Sequence, residues 1–391
     1  MDTAELAEEQ APSPSPAPGD VSEAALAELL ALADVRLDGE RPWDMRVHHR
    51  EGLGRRLLGG GSLALGESYM DGWWSAEAPD ELLARMIDAR LAERLHPPHL
   101  LWHIAQARLL NLQNARRAWQ VGQHHYDLGN DFYAAMLDTR MAYSCGYWQA
   151  GAHDLNEAQE HKLELVCRKL GLRPGMRLLD VGCGWGSLMK YAAERFGVSC
   201  VGVTISAEQA ELGRQMCAGL PVEFRLQDYR ELDERFDRIA SIGMFEHVGH
   251  KNADHYMAAV RRCLTDDGLF LLHTIGRNDS GHGTDPWIHR YIFPNGELPS
   301  IARIGKACEP LFVVEDLHNF GADYDRTLMC WHERFEVAWP RFAESYGERF
   351  RRMWRYYLLC SAAAFRVRDI QLWQWVLSPR GVRGGFRRPE F

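Results

Sequence analysis

A glycine-rich turn between an apolar run and a helical stretch is the feature that most constrains the fold of this sequence. RLLDVG, at 177–182, is short and apolar, and WGSLMKYAAERF, which overlaps the turn's end, has the pattern of a helix. Further strand-like runs alternate with helical stretches: SCVGVT (199–204), EFRLQD (223–228), RIASIG (238–243) and GLFLLHTIG (268–276). This alternation predicts an α/β fold with a parallel, doubly wound sheet.

The turn itself, DVGCGWG, is suited to a ligand. Gly182 and Gly184 allow a tight turn and a close approach of the backbone to a group bound at the carboxyl edge of the sheet. The motif alone is compatible with a dinucleotide site, an S-adenosylmethionine (SAM) site or a structural turn. An NAD site is disfavoured because Thr204 stands where such a site has an acidic residue, and no Gly-Lys-Ser/Thr follows for a P-loop.

The charge distribution argues against a nucleic-acid binder. The chain has 391 residues, 46% of them hydrophobic, and a formal net charge of −9. Residues 1–35 hold eight acidic residues and no Lys or Arg, so the remainder carries 45 basic and 46 acidic residues. An acidic arm on a nearly neutral body is not the pattern of a protein that binds phosphate backbones.

Cysteine usage and hydropathy predict a cytoplasmic protein. The nine cysteines include no CxxC pair, which argues against a disulfide framework and a thiolate metal site, and we predict no metal. No run approaches the ~18 apolar residues of a membrane-spanning helix. MDTAELAEEQ, the first ten residues, lacks the basic and apolar regions of a secretory signal.

The chain before the α/β pattern divides into three segments. Residues 1–21 are acidic and Pro-rich, so we expect a disordered tail. A small helical domain is predicted over 22–100, with Ser22 as its first N-cap, followed by a connecting helix over 101–120. Several basic and aromatic residues are candidates for contact with anionic headgroups: Arg46, Arg50, Arg55, Arg56, Trp73, Trp74, Arg108, Arg116 and Arg117.

Many co-linear motifs resemble the cyclopropane-fatty-acyl-phospholipid synthases. They are QHHYDLGNDFY (123–133), MAYSCGYW (141–148), LLDVGCGWGSL (178–188), VGVTISAEQ (201–209), RLQDYREL (225–232), FDRIASIGMFEHVGHKN (236–252), LLHTIG (271–276), YIFPNGELPS (291–300), EDLHNFGADYDRTLMCWHERF (315–335) and FRVRDIQLWQ (365–374). GESYMDGWW (66–74) is similar to the N-terminal domain of the phospholipid-acting bacterial members. The resemblance covers roughly residues 36–388 and leaves out the acidic tail.

This resemblance implies a SAM-dependent methyltransferase domain, Rossmann-like, over 121–391. Members of the family transfer a methyl group from SAM to a cis double bond of a phospholipid acyl chain, and the resulting cation loses a proton and closes to a cyclopropane. A bound bicarbonate ion takes that proton. The resemblance implies that bicarbonate contacts His273, Tyr324, Glu246 and the backbone around Cys145 and Ile275, and that Glu315 orients His273 or Tyr324. The predicted catalytic set is therefore Cys145, Glu246, His273, Glu315 and Tyr324.

Eight residues are predicted to contact SAM. Gly182 and Gly184 are expected beside the methionine portion, Thr204 and Gln209 near the ribose, Gln227 and Asp228 at the adenine, and Tyr143 and Ser144 above the ligand. Asp180 is an alternative contact for the ligand amine, through water. Cys145 is not assigned as a nucleophile, because buried cysteines commonly act as small hydrophobes and the reaction needs no covalent intermediate.

The resemblance also implies partners and a location. Unsaturated phospholipids at the membrane surface are the expected substrates, and a homodimer associated with the inner face of the bacterial membrane is the expected assembly. Two alternatives stay open at this point. A SAM-dependent methyltransferase of lipids or small molecules would leave a methyl or methylene branch, and a lipid-binding protein could retain an inactive SAM fold.

Overall fold

The N-terminal part of the chain is helical. The structure, a computed structural model, describes residues 18–94, 129–280 and 283–391. The elements of the first range are α1 (Pro18–Ala31), β1 (Arg46–Val47), α2 (Leu53–Met70), β2 (Trp74–Ser75), α3 (Pro79–Asp88) and α4 (Leu91–Arg94). Helix α1 begins at Pro18 and not at Ser22, so the last residues of the predicted tail are helical; proline suits a first turn because its missing N–H is not needed there. Residues 1–17 and the predicted connecting helix at 101–120 lie outside the described residues.

A seven-stranded sheet organises the rest of the chain. Its strands are β3 (Arg177–Val181), β4 (Ser199–Thr204), β5 (Val222–Leu226), β6 (Phe236–Ile242), β7 (Leu264–Gly276), β8 (Val313–Asn319) and β9 (Gln371–Ser378). Their order is β5-β4-β3-β6-β7-β9-β8. Strands β3 to β7 are parallel, and β9 lies antiparallel between β7 and β8. The predicted doubly wound α/β sheet is confirmed, with all five predicted strands in it.

Helices cover both faces of this sheet. They are α5 (Asn130–Met136), α6 (Leu155–Lys169), α7 (Ser187–Phe196), α8 (Ala207–Met216), α9 (Ala253–Cys263), α10 (Pro286–Tyr291), α11 (Ile301–Cys308), α12 (Ala322–Ala338) and α13 (Ala343–Arg366). Leu271 of β7 belongs to the apolar cluster of α6, whereas its neighbour Leu272 belongs to that of α9, as the alternation of side chains along a strand requires. Within the described ranges, no helix is long and apolar enough to cross a membrane.

The strand order creates a crevice at the middle of the sheet. The chain builds β3, β4 and β5 outward in one direction and then crosses back to place β6 beside β3. Helices on either side of that reversal leave space outside the carboxyl ends of the strands, which is where doubly wound sheets bind ligands.

The N-terminal helices pack on the α/β part of the chain. A Cβ on Gly66 of α2 would lie 2.3 Å from ring atom Cδ1 of Trp287 in α10, so only glycine fits at this contact. The hydroxyl of Tyr291 donates a hydrogen bond to Glu67 at 2.8 Å. Arg352 of α13 donates to two backbone carbonyls, one at the end of α2 and one in β2. One apolar core therefore runs through both parts.

Candidate active site

A cavity of about 220 Å³ opens at the carboxyl ends of the parallel strands. All eight residues that the sequence assigned to the cofactor line it: Tyr143, Ser144, Gly182, Gly184, Thr204, Gln209, Gln227 and Asp228. They come from four separate motifs. Three of these motifs lie at the carboxyl ends of the parallel strands β3, β4 and β5, and the fourth, with Tyr143 and Ser144, lies in the segment before α6.

The glycine turn presents bare backbone to this cavity. Gly182 has a φ of +82°, and a Cβ there would lie 2.7 Å from Cγ of Met244. The N–H groups of Gly182 and Cys183 both donate to the carbonyl of Val203, at 2.9 and 3.1 Å, which ties the turn to β4. The turn therefore has a fixed shape and no side chain at the point where a ligand would approach most closely.

Polar groups follow β4 at the cavity wall. The hydroxyl of Thr204 accepts a hydrogen bond from the N–H of Ser206 at 3.1 Å. The Ser206 hydroxyl in turn accepts from the N–H of Gln209 at 3.3 Å, as the N-cap of α8. Since the cap uses only the backbone of Gln209, its buried side-chain amide remains available to the cavity.

Asp228 of the polar pair Gln227–Asp228, which follows β5, already forms hydrogen bonds within the protein. The two carboxylate oxygens of Asp228 accept from the backbone N–H and the guanidinium of Arg230, at 2.9 and 2.8 Å. Each oxygen keeps a lone pair for a ligand. Arg230 also lines the cavity and was not predicted from the sequence.

Tyr143 and Ser144 cover the cavity from the segment before α6. The hydroxyl of Tyr143 lies 2.9 Å from that of Tyr357, and burial raises the pKa of Tyr143 well above its usual range, so this phenol stays neutral. The hydroxyl of Ser144 accepts from Nζ of Lys162 at 3.0 Å. Lys162 lines the same cavity and was missed from the sequence.

A signal for Lys162 was present in the sequence. Helix α6 buries an apolar stripe at helical spacing, which includes Leu155, Ala158 and Val166, and Lys162 stands within that stripe. A charged residue in the buried face of an amphipathic helix is uncommon unless it has a partner or a function.

Asp180, at the end of β3, also faces the cavity. Burial raises the pKa of its carboxyl group to about 7, against the opposing effect of the charge on Lys162. An ammonium group of a ligand would favour the ionised form of this carboxylate. The position therefore suits the contact with a ligand amine that the sequence suggested.

A second group of polar residues lies next to the cavity, in the interior. Oε1 of Glu246 accepts from the N–H of Ile275 at 2.7 Å. Burial raises the pKa of Glu246 to about 7, although the Ile275 N–H opposes the shift. Oε2 of the same carboxyl group is buried and has no hydrogen-bond partner among the described residues.

His273, on β7, is held by a residue that was not predicted from the sequence. Its Nδ1 lies 3.1 Å from the side-chain nitrogen of Gln374, the residue opposite it on β9. With that amide as the donor, the ring proton of neutral His273 lies on Nε2, which is buried without a partner in the described part of the chain. Burial, together with the charges of Lys162 and Lys169, keeps the pKa of His273 well below its usual value.

Cys145 and Tyr324 border the same interior region. The Cys145 thiol donates to the carbonyl of Gly146 at 3.1 Å, and burial raises its pKa well above the usual range, so it is not a thiolate nucleophile. Tyr324 stacks on Phe365 with ring centroids 4.6 Å apart. Burial raises the pKa of Tyr324 well above its usual range, so this phenol stays neutral.

Glu315 lies elsewhere, which corrects the expectation that it orients His273 or Tyr324. Its Oε1 accepts from the Ser378 hydroxyl at 2.6 Å and from the N–H of Val382 at 2.7 Å. It sits at a bulge near the start of β8, away from the level at which His273 pairs with Gln374. In this structure Glu315 anchors the end of β9.

Most of the N-terminal side chains predicted to contact lipid headgroups have partners within the protein or are buried. Three arginines form internal ion pairs: Arg46 with Glu77, Arg50 with Glu23 and Asp38, and Arg56 with Asp71. Trp74 is fully buried and cannot contact a membrane, which corrects that expectation. The guanidinium of Arg56 covers the ring of Trp73 at 4.4 Å, and Arg55 is exposed. Arg108, Arg116 and Arg117 lie outside the described residues.

Sequence comparisons identify relatives over nearly the whole chain. The family described as mycolic acid cyclopropane synthetase matches residues 113–375. The cyclopropane-fatty-acyl-phospholipid synthase of Escherichia coli strain K12 is 55% identical over 362 residues, which cover 92% of this chain and 94% of that protein. The tuberculostearic acid methyltransferase of Mycobacterium tuberculosis strain H37Rv is 34% identical over 361 residues, covering 86% and 83%.

A solved structure shares the α/β fold. The crystal structure of mycolic acid cyclopropane synthase CmaA1 complexed with SAH and CTAB aligns with a TM-score of 0.62 at 34% identity. The alignment covers 66% of this chain and 97% of that one. The sheet and its crevice are therefore those of a methyltransferase fold.

Proposed function

This chain belongs to the mycolic acid cyclopropane synthetase family, and we propose that it transfers a methylene unit from SAM to a cis double bond in a phospholipid acyl chain, forming a cyclopropane. As a member of this family it is a SAM-dependent methyltransferase. The observation that carries the finer proposal is the 55% identity with the E. coli phospholipid enzyme over 92% of the chain.

The residues of the cavity fit SAM. SAM, when bound, supplies an electrophilic methyl group. The bare Gly182 turn suits the methionine chain, Asp180 suits its amine, and the polar pair after β5 suits the adenine. An alkene is a weak nucleophile, so the chain must hold both reactants in line and keep water out. The buried aromatic residues around Tyr143 supply that dry environment.

The interior polar group fits a small oxyanion such as bicarbonate. Two buried atoms lack partners among the described residues, Nε2 of His273 and Oε2 of Glu246. Nε2–H can donate to an anion, and the Glu246 carboxyl group, with a pKa of about 7, can do so when protonated. Tyr324 and the backbone near Cys145 and Ile275 complete the proposed set. Bicarbonate held here would supply the base for the proton that the substrate cation loses.

Access to lipid is proposed to occur at a membrane surface. Arg55 is exposed, and salt bridges at Arg46 and Arg50 are themselves on the surface, where they contribute little and can exchange for lipid phosphate. We further propose peripheral binding to the cytoplasmic leaflet and a homodimer. Co-sedimentation with anionic vesicles and light scattering test these two points separately.

The reaction is tested with purified protein, SAM and vesicles of cis-unsaturated phospholipid, with and without added bicarbonate. A mass gain of one CH₂ with upfield ring-methylene proton signals is the expected result. Product lacking such signals, or no product with any cis-unsaturated lipid despite SAM binding, would refute the proposed reaction.

The chain offers a matched pair of histidine variants for this assay. His273 and His318 flank Gln374 on neighbouring strands, and both are buried. His273→Ala should abolish most ring formation and leave SAH affinity within about twofold, because His273 is not part of the cavity wall. His318→Ala, whose ring binds Lys169 instead, should leave ring formation largely intact.

A branched product is the second candidate. The similarity to the tuberculostearic acid methyltransferase over 86% of the chain favours it. A 1,2-hydride shift would move the charge of the same cation to the methylated carbon. Proton loss from the transferred methyl group would then give a methylene branch, whose vinyl proton signals are distinct from those of a ring methylene. The same NMR spectrum therefore decides between the two.

A further inference from the structure

Two lysines of α6 are fully buried, and they differ in their partners. Lys162 and Lys169 are 1% and 0% exposed. Nζ of Lys169 lies 3.4 Å from a carboxylate oxygen of Asp316 and 3.1 Å from Nδ1 of His318. Nζ of Lys162 donates to the Ser144 hydroxyl at 3.0 Å, and no carboxylate oxygen of a described residue lies within 4 Å of it.

An ammonium group buried without an anion is energetically unfavourable, so it needs an explanation. Burial accordingly lowers the pKa of Lys162 to about 8, even though Asp138 and Asp180 oppose the shift. Asp138 accepts two backbone N–H groups of the following turn, from Arg140 and Ala142, at 2.9 and 2.8 Å. Asp180 has a pKa of about 7 and is only partly ionised near neutrality. Neither carboxylate is a direct partner of Lys162.

The position of Lys162 indicates which anion is missing. Lys162 lines the cofactor cavity together with Ser144, Asp180 and the Gly182 turn. These residues stand at the end of the cavity opposite the Gln227–Asp228 pair, because β3 and β5 lie two strands apart. A ligand with its adenine at β5 therefore places its amino-acid end near Lys162.

We propose that Lys162 is the counter-charge for the carboxylate of the methionine part of SAM, with the Ser144 hydroxyl as the second donor. This inference rests on the proposed use of SAM. A carboxylate held by an ammonium group and a hydroxyl in a buried site makes strong, charge-assisted hydrogen bonds. Asp180 would then face the ligand amine, so that the two charges of the amino acid meet two opposite charges of the protein.

Calorimetry with two ligands tests the proposal. The ligands are SAH and its decarboxylated analogue, S-adenosyl-3-thiopropylamine, which keeps the adenosine, the sulfur and the amine. Lys162→Met should weaken SAH by about 10- to 100-fold, the range expected for a hydrogen bond to a charged group, and leave the analogue within about twofold of wild type. Retained binding of the analogue also demonstrates that the variant is folded.

Lys169→Met is the matched control, since it removes an equally buried charge from the same helix away from the cavity. It should leave the ratio of the two affinities unchanged. Equal weakening of both ligands by Lys162→Met, or of neither, would overturn the proposal. A wild-type protein that binds no SAH would overturn both this inference and the use of SAM. Selective weakening of SAH in a protein that makes no lipid product would support this inference and reject only the proposed reaction.

Discussion

Replacing Glu246 by glutamine should stabilise the protein at alkaline pH while abolishing the proposed chemistry. Burial raises the pKa of this carboxyl group from 4.5 to about 7, so the folded state favours its protonated form. Glutamine has the same shape as protonated glutamate and can still accept from the N–H of Ile275. The substitution therefore removes a buried charge without opening a cavity.

The sign and size of the effect follow from linkage. The pKa of Glu246 is higher in the folded state than in the unfolded state. The free energy of unfolding of the wild type therefore falls as the pH rises from about 4.5 to about 7, and above pH 7 it stays at the lower value. The stability gained by Glu246→Gln should thus grow from less than about 1 kcal/mol at pH 5 to roughly 3 kcal/mol at pH 8.5. For a large domain, this corresponds to a gain of about 5 °C in Tm at the higher pH.

Thermal unfolding of both proteins at the two pH values measures this difference. Glu309→Gln is the control, because it makes the same substitution at an exposed position. A Tm difference that is the same at pH 5 and 8.5, or a variant less stable at pH 8.5, would refute the account of a buried, costly charge. Ring formation by Glu246→Gln at the wild-type rate would separately refute its place in the bicarbonate site.

Three further predictions concern the cavity, the histidine and the packing of the N-terminal helices. Gly182→Ala places a Cβ 2.7 Å from Met244 at a φ of +82° and should raise the Kd of SAH by about tenfold or more, measured by calorimetry. Gln374→Leu releases Nδ1 of His273 and should reduce ring formation by about tenfold or more at unchanged SAH affinity; parallel loss of affinity would contradict it. Arg352→Ala removes two bonds to backbone carbonyls and should lower the stability by about 2 kcal/mol in thermal unfolding, and an unchanged Tm would rule that out.

Much of the cavity could be predicted because its residues directly follow strands. Gly182 and Gln227 directly follow β3 and β5, Thr204 is the last residue of β4, and parallel strands end at one edge of the sheet. The order of strands and turns along the chain was therefore enough to predict which residues meet at the cavity. Local sequence patterns predict the position of a residue when that position depends only on the strand that contains or precedes it.

The antiparallel end of the sheet could not be predicted in the same way. Strand β9, QLWQWVLS, is buried at every position, so it lacks the alternation that indicates a strand. It pairs with β7 across about a hundred residues of chain, and only that pairing reveals Gln374 as the partner of His273, 101 residues away. The prediction for Glu315 was wrong for the same reason, because its distance from His273 depends on the register with which β8 pairs with β9.

The cavity and the interior polar group share one electrostatic environment. Glu246 and His247 are consecutive, yet the first contacts Ile275 and the second lines the cavity. Lys162 also lines the cavity, and its charge contributes to keeping the pKa of His273 well below its usual value. A protonated His273 would repel the substrate cation of the proposed reaction, whereas a neutral ring would not. Burial is the main cause of the neutral state that the proposed reaction requires of His273, and the charge of Lys162 adds to this effect until the cofactor carboxylate pairs with it.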